Sequence, residues 1–165
     1  MFPIMLNIRG RKCTVAGGGN VAERKVKTLL KYGADVTAVS PVFKDRFPNV
    51  KRLEKEYSSS DIKNSFLVIA ATDNKEVNQT IYNDAKKRNI LVSLSDDTEH
   101  SDFILPSSKN YDDITISVST NGKSPALAKK ISQIKSNDLE LYASILPIIE
   151  KYRSILISES KDTKK

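Results

Sequence analysis

CTVAGGGNVAERK, residues 13–25, is the stretch on which the fold turns. A short apolar run ends in three consecutive glycines, Gly17, Gly18 and Gly19, and the chain then enters a charged helical pattern. KCTVA (12–16) reads as a buried strand. In NVAERKVKTLLK (20–31), Val21, Ala22, Val26, Leu29 and Leu30 recur at helical spacing, and Gly33 stands where such a helix would end. Gly17 to Ala22 fits G-x-G-x-x-A, placed directly between strand and helix. In that setting Gly17 permits the tight turn and Gly19 lets a pyrophosphate approach the backbone. Ala22 keeps the helix close to the sheet. The free N–H groups of the helix start would face the phosphates. A turn without a ligand would not need three successive glycines, each of which loses more conformational freedom on folding than other residues.

Working outward, DVTAVS (35–40) reads as a second strand that Pro41 terminates, and residues 51–56 as a short third. FLVIAAT (66–72) is the strongest apolar run and reads as a central parallel strand buried on both faces. A helix over 74–88 opens on Asp73 or Asn74 and ends in Lys86, Lys87 and Arg88, which suit its dipole. ILVSLS (90–95) follows as a strand. This alternation predicts an α/β fold with a Rossmann-type parallel sheet. After Asp96 the pattern changes. FILPSS (103–108) and ITISVST (114–120) read as strands joined by a KNYDD turn. SPALAKKISQIKSN (124–137) reads as a helix with Ser124 as cap and Pro125 at its first position. Residues 138–158 read as a helix interrupted or kinked at Pro147, with Leu139, Tyr142, Ile145, Leu146 and Ile149 on one side; the tail ESKDTKK reads as frayed.

The chain has 165 residues, with 27 Lys and Arg against 20 Asp and Glu. The resulting net charge of +7 suits a carboxylate-rich or phosphate-rich ligand. The motifs of nucleic-acid modules are missing. No run reaches the roughly 18 apolar residues of a membrane span, and the N-terminus does not read as a signal peptide. Nucleic acid and membrane are therefore not expected partners. The single cysteine, Cys13, lies in an apolar run and reads as a buried thiol in a reducing, cytoplasmic setting. One cysteine and one histidine, His100, make no metal-ligand spacing, so no metal site is expected. The second strand ends Val39-Ser40-Pro41 without the acid that would hold an adenosine ribose, while Lys44 and Arg46 stand nearby. Spacing alone leaves NAD and NADP open. Ala71 and Thr72, at the end of the long apolar strand, would lie at the carboxyl edge where a dinucleotide sits, and Asp96 would project from the same edge.

Four blocks, GGGNVAERK, AATDNKEVN (70–78), SLSDDTEHSDFILP (93–106) and SVSTNGKSPALAKKI (117–131), occur in this order and spacing. Together they resemble the precorrin-2 dehydrogenase (sirohydrochlorin synthase) family, over about residues 1–135. The resemblance implies NAD-dependent oxidation of precorrin-2, a carboxylate-rich tetrapyrrole, to sirohydrochlorin in siroheme biosynthesis. It implies a Rossmann-type domain (1–100), a small strand–helix dimerisation and substrate region (101–136) and a short helical C-terminal segment (137–165), assembled as a homodimer. Carried onto this sequence, the family's aspartate falls on Asp96, with Asp97 as the adjacent alternative. Dinucleotide contacts fall on Gly19, Asn20, Val21, Pro41, Val42, Ala71 and Thr72, beside Gly17 of the turn. Substrate contacts fall on Ser124, with His100 in the loop near the site. The chain departs from the family at Ser93, Thr98 and Asn121, where Asn, Pro and Gly are frequent. Its helical C-terminal region is also short, as in dedicated dehydrogenases that leave metal insertion to a separate chelatase.

Two other readings stand beside this one. The same chain could also insert ferrous iron. A non-catalytic nucleotide-sensing domain would present a similar glycine turn, but usually with an acid ending the second strand.

Overall fold

The computed structural model describes residues 1–133 and 137–162. It divides into two units, Met1–Ile104 and Leu105–Lys165.

The first unit carries five strands in the order β3-β2-β1-β4-β5. They are β1 (Lys12–Ala16), β2 (Asp35–Ser40), β3 (Lys51–Glu54), β4 (Leu67–Ala70) and β5 (Leu91–Leu94). All pairings are parallel. Helix α1 (Asn20–Lys31) connects β1 to β2, and α2 (Lys75–Lys87) connects β4 to β5. β1 and β4 are buried along nearly their whole length, which is why both read as continuous apolar runs. α1 buries Ala22, Val26 and Leu29; α2 buries Asn78, Ile81 and Ala85. α2 packs into a cluster with Ile62, Val68, Val92 and Leu94. A fully enclosed side chain such as Ile81 contributes about 2 kcal/mol by leaving water. Cys13 is fully buried, and burial pushes its thiol up to about 11, so it is an inert packing group.

The helix ends follow local chemistry. Asn74, rather than Asp73, caps α2, its side chain accepting from the N–H groups of Glu76 and Val77. Gly33 closes α1 at φ +76. Beyond β5 the chain folds back along that edge strand: Asp102 exchanges backbone and side-chain hydrogen bonds with Val92, and Ser101 Oγ accepts from Leu94 N–H at 2.8 Å. The edge is thereby covered.

The second unit holds an antiparallel hairpin, β6 (Ser107–Tyr111) and β7 (Ile114–Val118), with α3 (Pro125–Ser132) and α4 (Asn137–Asp162). Two expectations are corrected here. The first strand begins after Pro106, not at Phe103, and Lys109, Asn110 and Tyr111 belong to it. Pro106 has no N–H to give a ladder, and the turn needs only Asp112 and Asp113, with Asp112 at φ +47. Of the two readings at Pro147, interruption is ruled out, since α4 holds Pro147 within it, and the helix runs on through Asp162 into the tail read as frayed. One missing N–H removes a single rung from a 26-residue helix. Ser124 caps α3 as expected, accepting from Leu127 N–H at 3.3 Å, with Pro125 beginning the helix. The expected helical residues 134–136, the side chain of Leu139 and the last three residues of the tail lie outside what is described. No helix among the described residues is long and apolar enough to cross a membrane.

Candidate functional site

Because all five strands run parallel and their ends are level, one edge of the sheet collects four chain segments. The register pairs Ala16 with Val39 and with Ala70, and Ala70 with Leu94. Beyond those residues lie Gly17–Gly19, Pro41–Val42, Ala71–Thr72 and Ser95–Asp96. The strand order reverses between β1 and β4, which is where open parallel sheets form a crevice. The cofactor residues expected from sequence and Asp96 are thus brought to one edge.

The three glycines serve different ends. Gly17 has φ +126, and a Cβ there would overlap the Ala71 carbonyl. A Cβ on Gly18 would overlap the Val42 carbonyl and stand 2.8 Å from Ser40 Oγ. These two are required by the protein's own packing. Gly19 is not. It has an ordinary extended conformation, φ −89 and ψ −168, and a Cβ there would meet nothing within 4 Å. The chain itself gives no reason for a glycine at this position, at the first N–H groups of α1. The backbone there is open to a ligand's close approach.

Asn20 and Val21 are exposed at the head of α1. Lys44, in the loop after β2, donates from Nζ to Asn20 Oδ1 and to Glu23 Oε2, both at 2.7 Å, and its N–H donates to the Gly18 carbonyl. The loop is thereby fastened to the glycine turn. Glu23 also pairs with Lys27 at 2.6 Å. The hydrogen bonds from Lys27 and Lys44 hold its carboxyl down at about 2. Pro41 and Val42 are exposed beside this clamp.

Thr72 and Asp96 are joined through a residue that the sequence reading did not select. Asn78, on α2, is 2% exposed. Its Oδ1 accepts from Thr72 N–H at 3.2 Å and from Thr72 Oγ1 at 2.7 Å. Its Nδ2 donates to the Thr72 carbonyl at 3.1 Å and lies 3.4 Å from both carboxylate oxygens of Asp96. Asp96 itself is exposed. The signal for Asn78 was a polar residue on the same helical stripe as buried Ile81 and Ala85.

Asp97 has a different task. Its Oδ1 accepts from the N–H groups of Glu99 and His100, and its Oδ2 accepts from His100 Nδ1 at 2.7 Å. The backbone bond from His100, then its ring bond, hold the Asp97 carboxyl below the ordinary range. Asp97 and His100 therefore shape the loop, while Asp96 points free of it. Ser124 belongs to the second unit, at the start of α3. Among the described residues no three His, Cys, Asp or Glu side chains gather as metal ligands.

An NAD(P)-binding family model matches residues 4–107, and a model of the central part of sirohaem biosynthesis proteins matches residues 112–131. The siroheme synthase of Photobacterium profundum is 42% identical over 138 residues, 80% of this chain and 29% of that protein. The siroheme synthase of Nitrosococcus oceani is 35% identical over 160 residues, 93% of this chain and 34% of that protein. This chain thus spans only 29% and 34% of these two relatives. Among solved structures, SirC, precorrin-2 dehydrogenase, superposes with a TM-score of 0.73 at 26% identity, covering 93% of this chain and 79% of that one.

Proposed function

The chain belongs to the NAD(P)-binding family, and on that premise we propose that it is a dehydrogenase oxidising precorrin-2 to sirohydrochlorin with NAD, in siroheme biosynthesis. The observation that carries the reading is the carboxyl edge of the sheet, where the open backbone at Gly19 and the exposed carboxylate of Asp96 both lie beyond level strand ends. The likeness to siroheme synthases and to SirC supports the choice of substrate.

The oxidation removes two hydrogens from the macrocycle, one as hydride and one as a proton. NAD, when bound, supplies the hydride acceptor. Gly17, Gly19, Asn20 and Val21 would hold its pyrophosphate at the helix start, and Pro41, Val42, Ala71 and Thr72 would supply further contacts to it. Lys44 is already engaged by Glu23 and Asn20, which favours NAD over a cofactor bearing a further phosphate. Asp96 takes the proton, or orients the pyrrolic N–H beside which it leaves. Lysines and arginines of this +7 chain meet the substrate's acetates and propionates. Ser124 and His100 are assigned to substrate contact, Ser124 through the N–H groups at the start of α3.

The reading includes a homodimer, a cytoplasmic setting and a separate chelatase for metal insertion. Exposed Tyr142, Ile148, Ile149, Tyr152 and Leu156 on α4 support the dimer. Anaerobic incubation with precorrin-2 tests the function. Equal yields of sirohydrochlorin and NADH are expected, with NADP⁺ a poor substitute. Tight NAD⁺ binding without turnover would return the sensing domain. Siroheme formed on adding ferrous iron would return the bifunctional enzyme.

A further inference from the structure

We propose that Asn78 is a positioning residue that sets the carboxylate of Asp96 against the cofactor crevice, an inference that rests on the role given to Asp96 above. Three observations carry it. The first is cost. Asn78 occupies a core position of α2, in line with Ile81 and Ala85, and is 2% exposed. An amide is expensive there unless its hydrogen-bonding groups are met, and an apolar residue would fill the position without that cost.

The second is where its partners lie. Every side-chain hydrogen bond of Asn78 goes to Thr72 or Asp96. The side chain adds nothing to the helix or to the sheet ladder. It joins Thr72, two residues beyond β4, to Asp96, two residues beyond β5.

The third is polarity. The Thr72 N–H can only donate, so the amide oxygen must face Thr72 and the NH₂ must face Asp96. Two contacts of 3.4 Å, equal to both carboxylate oxygens, are long for hydrogen bonds and share one donor group between two acceptors. Such a contact fixes the direction of the carboxylate without occupying either oxygen tightly. Catalytic hydrogen bonds of this kind tend to tighten only once substrate is present.

The two ends of the amide can be tested apart. Asn78→Asp keeps the acceptor for Thr72 N–H and Oγ1 and replaces the NH₂ that faces Asp96 and the Thr72 carbonyl; Asn78→Ala removes both ends. Both are compared with wild type and with Asp96→Ala in the precorrin-2 assay, with NAD⁺ affinity and melting temperature measured on each. The expected result for Asn78→Asp is a kcat lowered about tenfold or more, with NAD⁺ affinity held within about threefold. Asn78→Ala lowers kcat and also weakens NAD⁺, through Thr72. If Asn78→Asp does not fold, the Asn78→Ala loss in kcat must exceed its loss in NAD⁺ affinity. A kcat unchanged in either folded variant overturns the proposal, as does a kcat that falls only in proportion to NAD⁺ affinity. If Asp96→Ala keeps full kcat, the role of Asp96 fails first, and Asn78 cannot act through it.

Discussion

Gly17, Gly18 and Gly19 are chemically alike, yet a methyl group added to each meets a different obstacle. At Gly17 and Gly18 it runs into backbone, and at Gly17 the positive φ adds strain. Gly17→Ala and Gly18→Ala are each expected to destabilise the fold by about 1–3 kcal/mol, read by chemical denaturation. At Gly19 the space is open and the conformation ordinary. Gly19→Ala should leave the melting temperature within about 2 °C, while NAD⁺ affinity falls at least about tenfold, by calorimetric titration. Equal affinity in that variant would mean that no phosphate rests there. The G-x-G-x-x-A pattern told where the glycines were but not which of them answer to the protein and which to a ligand. That distinction depends on Ala71 and Val42, far along the chain. The assignment of Asp96 over Asp97 was likewise open in the sequence. It is favoured by the bonds that commit Asp97 to His100.

At the scale of elements, the first unit was legible because its strands are buried on both faces and its helices carry one apolar stripe. β1, α1 and β2 begin and end where the residues predict. The hairpin was less so. β6 is SSKNY, only half-buried, so no apolar run marks it, and the chain around Pro106 looked more strand-like than the strand itself. The clamp between α1 and the loop after β2 could not be read either, since Glu23 and Lys44 are 21 residues apart. It carries its own prediction. The hydrogen bonds from Lys27 and Lys44 lower the Glu23 carboxyl from 4.5 to about 2. A depressed carboxyl stabilises the fold above its unfolded value and loses that contribution as pH falls through the folded one. The melting temperature of wild type should therefore exceed that of Glu23→Gln at pH 6, with the gap closing between pH 4.5 and 2. A constant gap across that window would show that the clamp does not depend on the charge.

At the scale of the molecule, α4 leaves Tyr142, Ile148, Ile149, Tyr152 and Leu156 exposed on a chain of 18.4 kDa. Light scattering at micromolar concentration is expected to give twice that mass, and Ile148→Lys with Tyr152→Lys to reduce it to one chain. A monomer in the wild type would remove the dimer from the account. The central claim is the reaction at the carboxyl edge. It is met most directly by following NADH and sirohydrochlorin anaerobically, with precorrin-2 and NAD⁺, in wild type beside Asp96→Ala. The account predicts turnover in the wild type and a loss of about a hundredfold or more in the variant, with NAD⁺ binding intact. Full turnover in Asp96→Ala, or none in a wild type that binds NAD⁺, would contradict it.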